Sequence, residues 1–316
     1  MVVWSKVLDE KETRIDDFEE IINMFKRKIS NRMAKKIIRY AGGDYYTADL
    51  LLPRLYSLCQ GKCTLVEVFG GSGFISQEAD RNVFSNVIYN DIDNRLAELY
   101  KAVKENPREF MELLLLLPYS RFLYNLIDDL IRKGAKELAS IELAVFAFYV
   151  ANAKVHGGLG IGGFYHGKVP DSNPAREFRN HTLAIYELAS KWADITIENL
   201  DFRDVIKKYD SEKTVFYLDP PYPDKSQSIY DLSFTVNDLR DLARILRQIK
   251  GKFLLKLDGK TYSMIQDLLP DGTYNVERFN MSKNMEIIVD GKKRENWILV
   301  LVSNKVTKPN LMTQYF

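Results

Sequence analysis

The stretch Cys63-Thr64-Leu65-Val66-Glu67-Val68-Phe69-Gly70-Gly71-Ser72-Gly73 decides the fold class. Its first seven residues are a mostly apolar run of strand length, and a glycine turn closes it. A helix is expected to start at the turn and run through Glu78. Residues 84–89 read as a second strand that closes on Asn90-Asp91-Ile92-Asp93, and a helix over 95–104 ends before Pro107. Strand, glycine turn, helix, strand and acid, in that order, make half of a nucleotide-binding α/β sheet. Glycines at 70, 71 and 73 let a ligand approach the backbone closely, and the next helix offers free N–H groups. The turn is not Gly-x-Gly-x-x-Gly and no Gly-Lys-Ser/Thr follows it, which argues against a phosphate-binding loop.

Working outward, Ile15, Phe18, Ile21, Ile22 and Phe25 recur at helical spacing and predict an amphipathic helix in the first segment. Gly42-Gly43 breaks the pattern, and a helix over 50–58 leads into the first strand. From about residue 105 to 190 the alternation of strand and helix stops. Segments 110–117, 122–132 and 142–153 have helical periodicity, and a glycine-rich loop spans 156–168, so this stretch reads as an inserted, mainly helical domain. The α/β pattern resumes with strands over 195–197 and 215–218, a helix over 236–248 and a strand over 253–257. Two last strands, 286–289 and 297–302, are expected to pair through the hairpin signal Asp290-Gly291-Lys292-Lys293.

Composition narrows the class. A net charge of +2 neither demands nor excludes a nucleic-acid partner. No apolar run approaches the roughly 18 residues of a membrane span, and the N-terminus turns acidic at once, so neither a membrane partner nor a signal peptide is expected. Cys59 and Cys63 stand four apart with no histidine nearby. They read as two reduced thiols of a cytoplasmic protein rather than half a metal site, and no metal is expected.

The chemistry gathers at strand ends. The apolar run 214–218 delivers Asp219-Pro220-Pro221-Tyr222, where two prolines fix the backbone and remove two amide donors. A carboxylate, free carbonyls and an aromatic ring at one spot suit a planar amine; the plainer reading is a strand ending in a Pro-Pro turn with Asp219 as a helix cap. Asp91 is placed to accept ribose hydroxyls, although it or Asp93 could equally cap the next helix. Asp201-Phe202 follows the third strand, where a carboxylate can receive an adenine amine and a ring can cover the base.

These parts together resemble the Dam-type (D12 class) adenine-N6 DNA methyltransferases over roughly residues 36–304. The motifs that carry the resemblance are Gly42-Gly43, Phe69-Gly70-Gly71-Ser72-Gly73, Tyr89-Asn90-Asp91-Ile92-Asp93-Asn94 with Leu99-Tyr100 and Glu105-Asn106-Pro107, Asp201-Phe202 and Asp219-Pro220-Pro221-Tyr222. The resemblance implies a Rossmann-like S-adenosylmethionine-dependent methyltransferase sheet with an inserted, mainly helical target-recognition domain. It divides the chain into an N-terminal extension (1–35), a catalytic domain (36–104 and 190–316) and the insert (105–189). Tyr40, Gly42, Gly43, Phe69, Gly70, Gly71, Ser72, Gly73, Asp91, Asp201 and Phe202 would bind the cofactor S-adenosylmethionine. Asp219, Pro220, Pro221 and Tyr222 would receive and stack on a flipped adenine.

Lys154, Lys168, Arg176 and Arg179 are the candidate phosphate contacts to double-stranded DNA. A monomer, with a cognate restriction endonuclease as a further partner, is expected. One departure stands out: the family's opening motif usually reads Trp-Ala/Pro-Gly-Gly-Lys, and here it is Tyr40-Ala41-Gly42-Gly43-Asp44. Rival readings are an amino-methyltransferase of cytosine N4 or of RNA adenine, and a DNA-binding homologue without activity.

Overall fold

The computed structural model describes residues 35–133, 138–167, 172–223, 234–281 and 297–305. Strands β1 (Cys63–Glu67), β2 (Phe84–Asn90), β3 (Ile195–Glu198), β4 (Thr214–Leu218), β5 (Lys252–Asp258), β6 (Asn275–Met281) and β7 (Trp297–Ser303) form one sheet in the order β3-β2-β1-β4-β5-β7-β6. The first five are parallel, and β7 runs antiparallel between β5 and β6. Strand order therefore reverses between β1 and β4. In an open α/β sheet the crevice outside the carboxyl ends at such a point is where ligands bind.

The central strands are buried on both faces, which explains their continuous apolar runs. In β4 all five residues are buried; Val215 and Tyr217 point into one core, Phe216 and Leu218 into the other. Among the described residues, seven helices bury residues in the first core: α1 (Ala48–Leu58), α2 (Phe74–Glu78), α3 (Asn94–Glu105), α4 (Pro107–Leu116), α5 (Arg121–Arg132), α6 (Ser140–Ala153) and α7 (Pro174–Trp192). The second core takes α8 (Phe202–Tyr209), α9 (Val236–Leu246) and α10 (Gly259–Ser263).

Helices α4 to α7 fall between β2 and β3, in the stretch expected as an insert, and their buried residues join one cluster with Leu65, Tyr89 and Val215 of the sheet. Helix α6 is apolar nearly all round and correspondingly sunk: Phe148 and Tyr149 meet Phe178 of α7 at 5.9 and 5.2 Å between ring centres. At the far end of α7, Trp192 stacks on Tyr100 of α3 at 4.0 Å. That clamp brings the end of α7 back to the sheet beside the glycine turn.

Three expectations need adjustment. The sheet partner of β7 is β6, a half-exposed strand whose polar residues hide its alternation; the expected strand 286–289 and its hairpin at Asp290-Gly291-Lys292-Lys293 lie outside the described residues, as do the expected N-terminal helix and Lys168. Helix α7 had no bounds of its own in the sequence reading, although Asn173 caps it, Pro174 opens it and Phe178, Ile185, Leu188 and Trp192 follow at helical spacing. The expectation of reduced thiols is corrected: Cys59 and Cys63 are joined in a disulfide. The turn Gln60-Gly61-Lys62 between α1 and β1 brings their Cα atoms to 5.8 Å, within the range a disulfide spans. Among the described residues no helix is long and apolar enough to cross a membrane.

Candidate active site

The glycine turn leaves β1 at the switch point. Gly71 and Gly73 adopt φ of +48° and +62°, a region L side chains rarely occupy. A side chain would also find no room, since a Cβ on Gly73 would lie 2.4 Å from Trp192 and one on Gly70 2.2 Å from the Tyr89 ring. The turn is stitched to β2. Gly70 N–H donates to Asn90 O at 2.7 Å, Gly71 N–H to Asp91 Oδ2 at 2.8 Å, and the Tyr89 hydroxyl to Gly71 O at 3.1 Å. The Tyr100 hydroxyl donates to Ser72 O.

The acids after β2 divide their roles. Asp93 caps α3, accepting from Arg95 N–H, and its carboxylate pairs with the Arg95 guanidinium at 2.7 Å. Asp91 turns to the glycine loop, and its Oδ1 accepts the Asp93 N–H at 2.9 Å. Burial, with Asp93 close by, pushes Asp91 up to about 6 against the pull of these backbone donors. Asn90, which the sequence reading quoted without assigning a role, cross-links three chain segments: its amide donates to Val68 O and Leu200 O, and its Oδ1 accepts Leu200 N–H.

Asp201 caps α8, accepting the Arg203 N–H at 2.9 Å. Phe202 is buried, and its ring centre lies 5.7 Å from Phe69 and 5.9 Å from Phe234, with the Arg203 guanidinium 4.2 Å over its ring. The motif around Tyr40 joins from the other side. A Cβ on Gly71 would strike the Tyr40 ring at 2.8 Å, one on Gly43 would press on Ser72, and the insert's Gly158 lies against the same tyrosine. Gly158 N–H donates to Arg39 O at 2.9 Å. Tyr40, Gly43, the glycine turn and the insert's glycine loop thus form one wall.

Asp219 follows β4 directly, across the switch point from that turn, with Pro220 buried and Tyr222 half-buried; the Tyr222 hydroxyl lies 3.5 Å from Asp219 Oδ1. Its other oxygen is held by a residue the sequence reading passed over. Lys256 of β5 donates from Nζ to Asp219 Oδ2 at 2.7 Å and to Asp44 Oδ1 at 2.6 Å. Asp44 also accepts from the Tyr217 hydroxyl at 2.7 Å and from the Thr47 hydroxyl at 2.9 Å. The signal was present: Phe253-Leu254-Leu255-Lys256-Leu257 puts one ammonium in an otherwise apolar buried strand, and a buried charge needs a partner. Burial pushes Asp219 up to about 6, with Lys256 pulling it down and Asp44 pushing it up. Burial alone would lower Lys256, but the two carboxylates more than offset it and hold the lysine above its usual value.

The basic candidates separate. The expectation for Lys154 is corrected: its side chain is 1% exposed and donates to Gly160 O and to Asp128, so no phosphate can reach it. Burial, against the pull of Asp128, lowers it to about 8. Arg179 is half-buried, and its guanidinium donates to Leu115 O at 2.8 Å and Leu117 O at 3.4 Å and so closes the end of α4. Arg176, in the first turn of α7, is exposed.

The described residues of this crevice supply carboxylates, carbonyls, backbone N–H groups and aromatic rings. A family model described as D12 class N6 adenine-specific DNA methyltransferase matches residues 40–281, about three quarters of the chain. That span runs from Tyr40 to Met281 at the end of β6 and takes in every motif of the crevice. No curated protein matches the chain.

Proposed function

The chain belongs to the D12 class N6 adenine-specific DNA methyltransferases, and from that premise we propose that the crevice between β1 and β4 performs site-specific transfer of a methyl group from S-adenosylmethionine to the N6 amine of an adenine flipped out of duplex DNA. One observation supports this above the others. Asp219 stands at the carboxyl end of β4, facing the same switch point as the glycine turn of β1. Cofactor and acceptor sites therefore share one crevice.

The residues present fit the cofactor. Its methyl group, when bound, is carried by a positively charged sulfur. Among the described residues, Asp91, Asp219 and Asp44 of the crevice stand against a single buried ammonium, a balance that suits a cationic nucleoside and not a phosphate. In this reading Phe69, Gly70, Gly71, Ser72 and Gly73 line the amino-acid end with Tyr40, Gly42 and Gly43 behind them. Asp91 takes the ribose hydroxyls. Asp201 and Phe202 flank the adenine ring.

The chain's own part in the chemistry is placement. The N6 lone pair of adenine is shared with the ring and is a poor nucleophile. Asp219 and the Pro220 carbonyl, drawing on the two N6 hydrogens, bias the nitrogen towards a tetrahedral shape and localise that pair. Such orientation and charge complementarity need no strong base. The Pro-Pro backbone keeps the two acceptors fixed with respect to each other. A stacked adenine cannot reach a crevice of this kind, so flipping precedes chemistry, and Tyr222 supplies the ring on which the flipped base rests. The insert over 105–189 is the part proposed to read the target sequence.

The test is transfer of labelled methyl to duplex DNA of mixed sequence, to its separated strands and to RNA, with nucleoside analysis and mapping of the products. Label in N6-methyladenine within one short duplex motif is expected. Label on cytosine would overturn the base assignment, and label spread over all adenines would overturn site specificity.

A further inference from the structure

We propose that Lys256 is a positioning residue for Asp219: tethered by Asp44, its ammonium holds Asp219 Oδ2 so that Oδ1 is presented to the substrate amine. This rests on the proposed role of Asp219 as amine acceptor. The geometry is specific. Lys256 Nζ lies 2.7 Å from Asp219 and 2.6 Å from Asp44, and the lysine side chain is 6% exposed, so it has little freedom to serve solvent or DNA.

Asp44 stands where the family's opening motif usually has lysine, and β5 delivers a lysine to the carboxylate at that position from 212 residues away. Among the described residues, the charges that face Asp219 are Lys256 from β5 and Asp44 from the turn before α1. The phenols of Tyr217 on β4 and Tyr222 stand with them, and Glu67 at the end of β1 acts on Tyr217. Two carboxylates and one ammonium leave a net charge of −1. That charge would complement the positive charge passing from sulfur to N6 as the nitrogen–carbon bond replaces the carbon–sulfur bond, the departing thioether keeping the broken bond's electron pair and N6 passing one proton to Asp219 and on to solvent. Without Lys256 the two carboxylates face each other in a buried place, and a proton must neutralise one of them.

The two charges facing Asp219 predict shifts of opposite sign when each is removed. In Lys256→Met, kcat at neutral pH is expected to fall roughly tenfold to a hundredfold, with KM for cofactor and DNA changed far less. The acid limb of the kcat profile should move up by about one pH unit or more. In Asp44→Asn, which removes the neighbour that opposes ionisation, the limb should move down. The carboxyl carbon of Asp219, observed by isotope-edited NMR and assigned by comparison with Asp219→Asn, should titrate in the same two directions.

That titration needs no turnover, so it tests the hold of Lys256 even if the methyl acceptor proves not to be DNA adenine. If Lys256→Met does not fold, the downward shift in Asp44→Asn still decides the matter. A folded Lys256→Met with an unmoved Asp219 titration and acid limb would overturn the proposal, whatever its kcat, and so would an Asp44→Asn limb that stays in place or moves up.

Discussion

The N–H of Gly71 donates to Asp91 Oδ2 at 2.8 Å, so the carboxylate proposed to receive a ribose also fixes the turn that would hold the rest of the cofactor. Both Asp91 oxygens take backbone donors, one from Gly71 and one from Asp93. Each oxygen keeps a second lone pair for a ligand hydroxyl. Removing the side chain releases two charge-assisted bonds worth about 1.5–3 kcal/mol each. Asp91→Ala should therefore weaken cofactor binding roughly a hundredfold, read by calorimetric titration, while a conservative Asp91→Asn should lose less. Unchanged affinity in Asp91→Ala would contradict the assigned role.

Gly73→Ala should be costly out of proportion to one methyl group. The left-handed φ of +62° costs an alanine about 1–2 kcal/mol, and the added carbon would sit 2.4 Å from a buried Trp192 that is stacked on Tyr100. A drop in unfolding free energy of more than about 2 kcal/mol by urea titration is expected, with cofactor binding lost.

Glu67 sets a pH dependence of stability. It is 1% exposed and accepts the Ser76 N–H at 2.8 Å in the first turn of α2; burial, against the pull of Ser76, pushes it up to about 8. Across the window from about 4.5 to about 8 the folded protein holds a proton that the unfolded chain has released. Stability is therefore lost as pH rises through that window, by up to about 1.4 kcal/mol per pH unit from this group. Glu67→Gln keeps the acceptor and removes the titration, so its melting temperature should fall less than wild type between pH 5 and pH 8. On the acid side His181, lowered to about 4 by burial and bonded through Nδ1 to Lys36 O, acts in the opposite sense: its contribution is lost as pH falls below about 6.5.

Two arginines three residues apart on α7 should behave differently. Arg176→Ala is expected to weaken DNA binding and reduce the salt slope of the affinity by about one, with stability unchanged. Arg179→Met should leave the salt slope alone and cost about 1–3 kcal/mol of stability, because Leu115 O and Leu117 O lose their donor. Lys154→Met should likewise leave the salt slope as it is. Denaturation curves and salt-dependent binding on the same three variants decide it.

What the sequence makes legible follows from burial. The five parallel strands lie within two residues of their expected bounds, because strands covered on both faces must be apolar throughout. Strand β6 was illegible: Val276 belongs to one core and Phe279 and Met281 to the other, with exposed polar residues between them. Asp91 and Asp93 are equivalent by spacing, and only the direction of the chain after β2 makes one a helix cap and the other a brace for the glycine turn. The pairing of Lys256 with Asp44 and Asp219 joins three segments distant in sequence, so no local pattern shows it, although a lysine inside an apolar run marks where to look. The disulfide is not legible in a four-residue spacing, because only the turn Gln60-Gly61-Lys62 decides that the two Cα atoms come within 5.8 Å.

Asp219 is the residue proposed to carry the transfer to an adenine amine. The most direct measurement compares wild type with Asp219→Ala for labelled methyl incorporation into duplex DNA, with cofactor affinity measured on both. Wild type is expected to form N6-methyladenine, with incorporation reduced at least about a thousandfold in the variant and cofactor affinity within a few-fold of wild type. Near-normal N6-methyladenine formation by a folded Asp219→Ala would contradict that role.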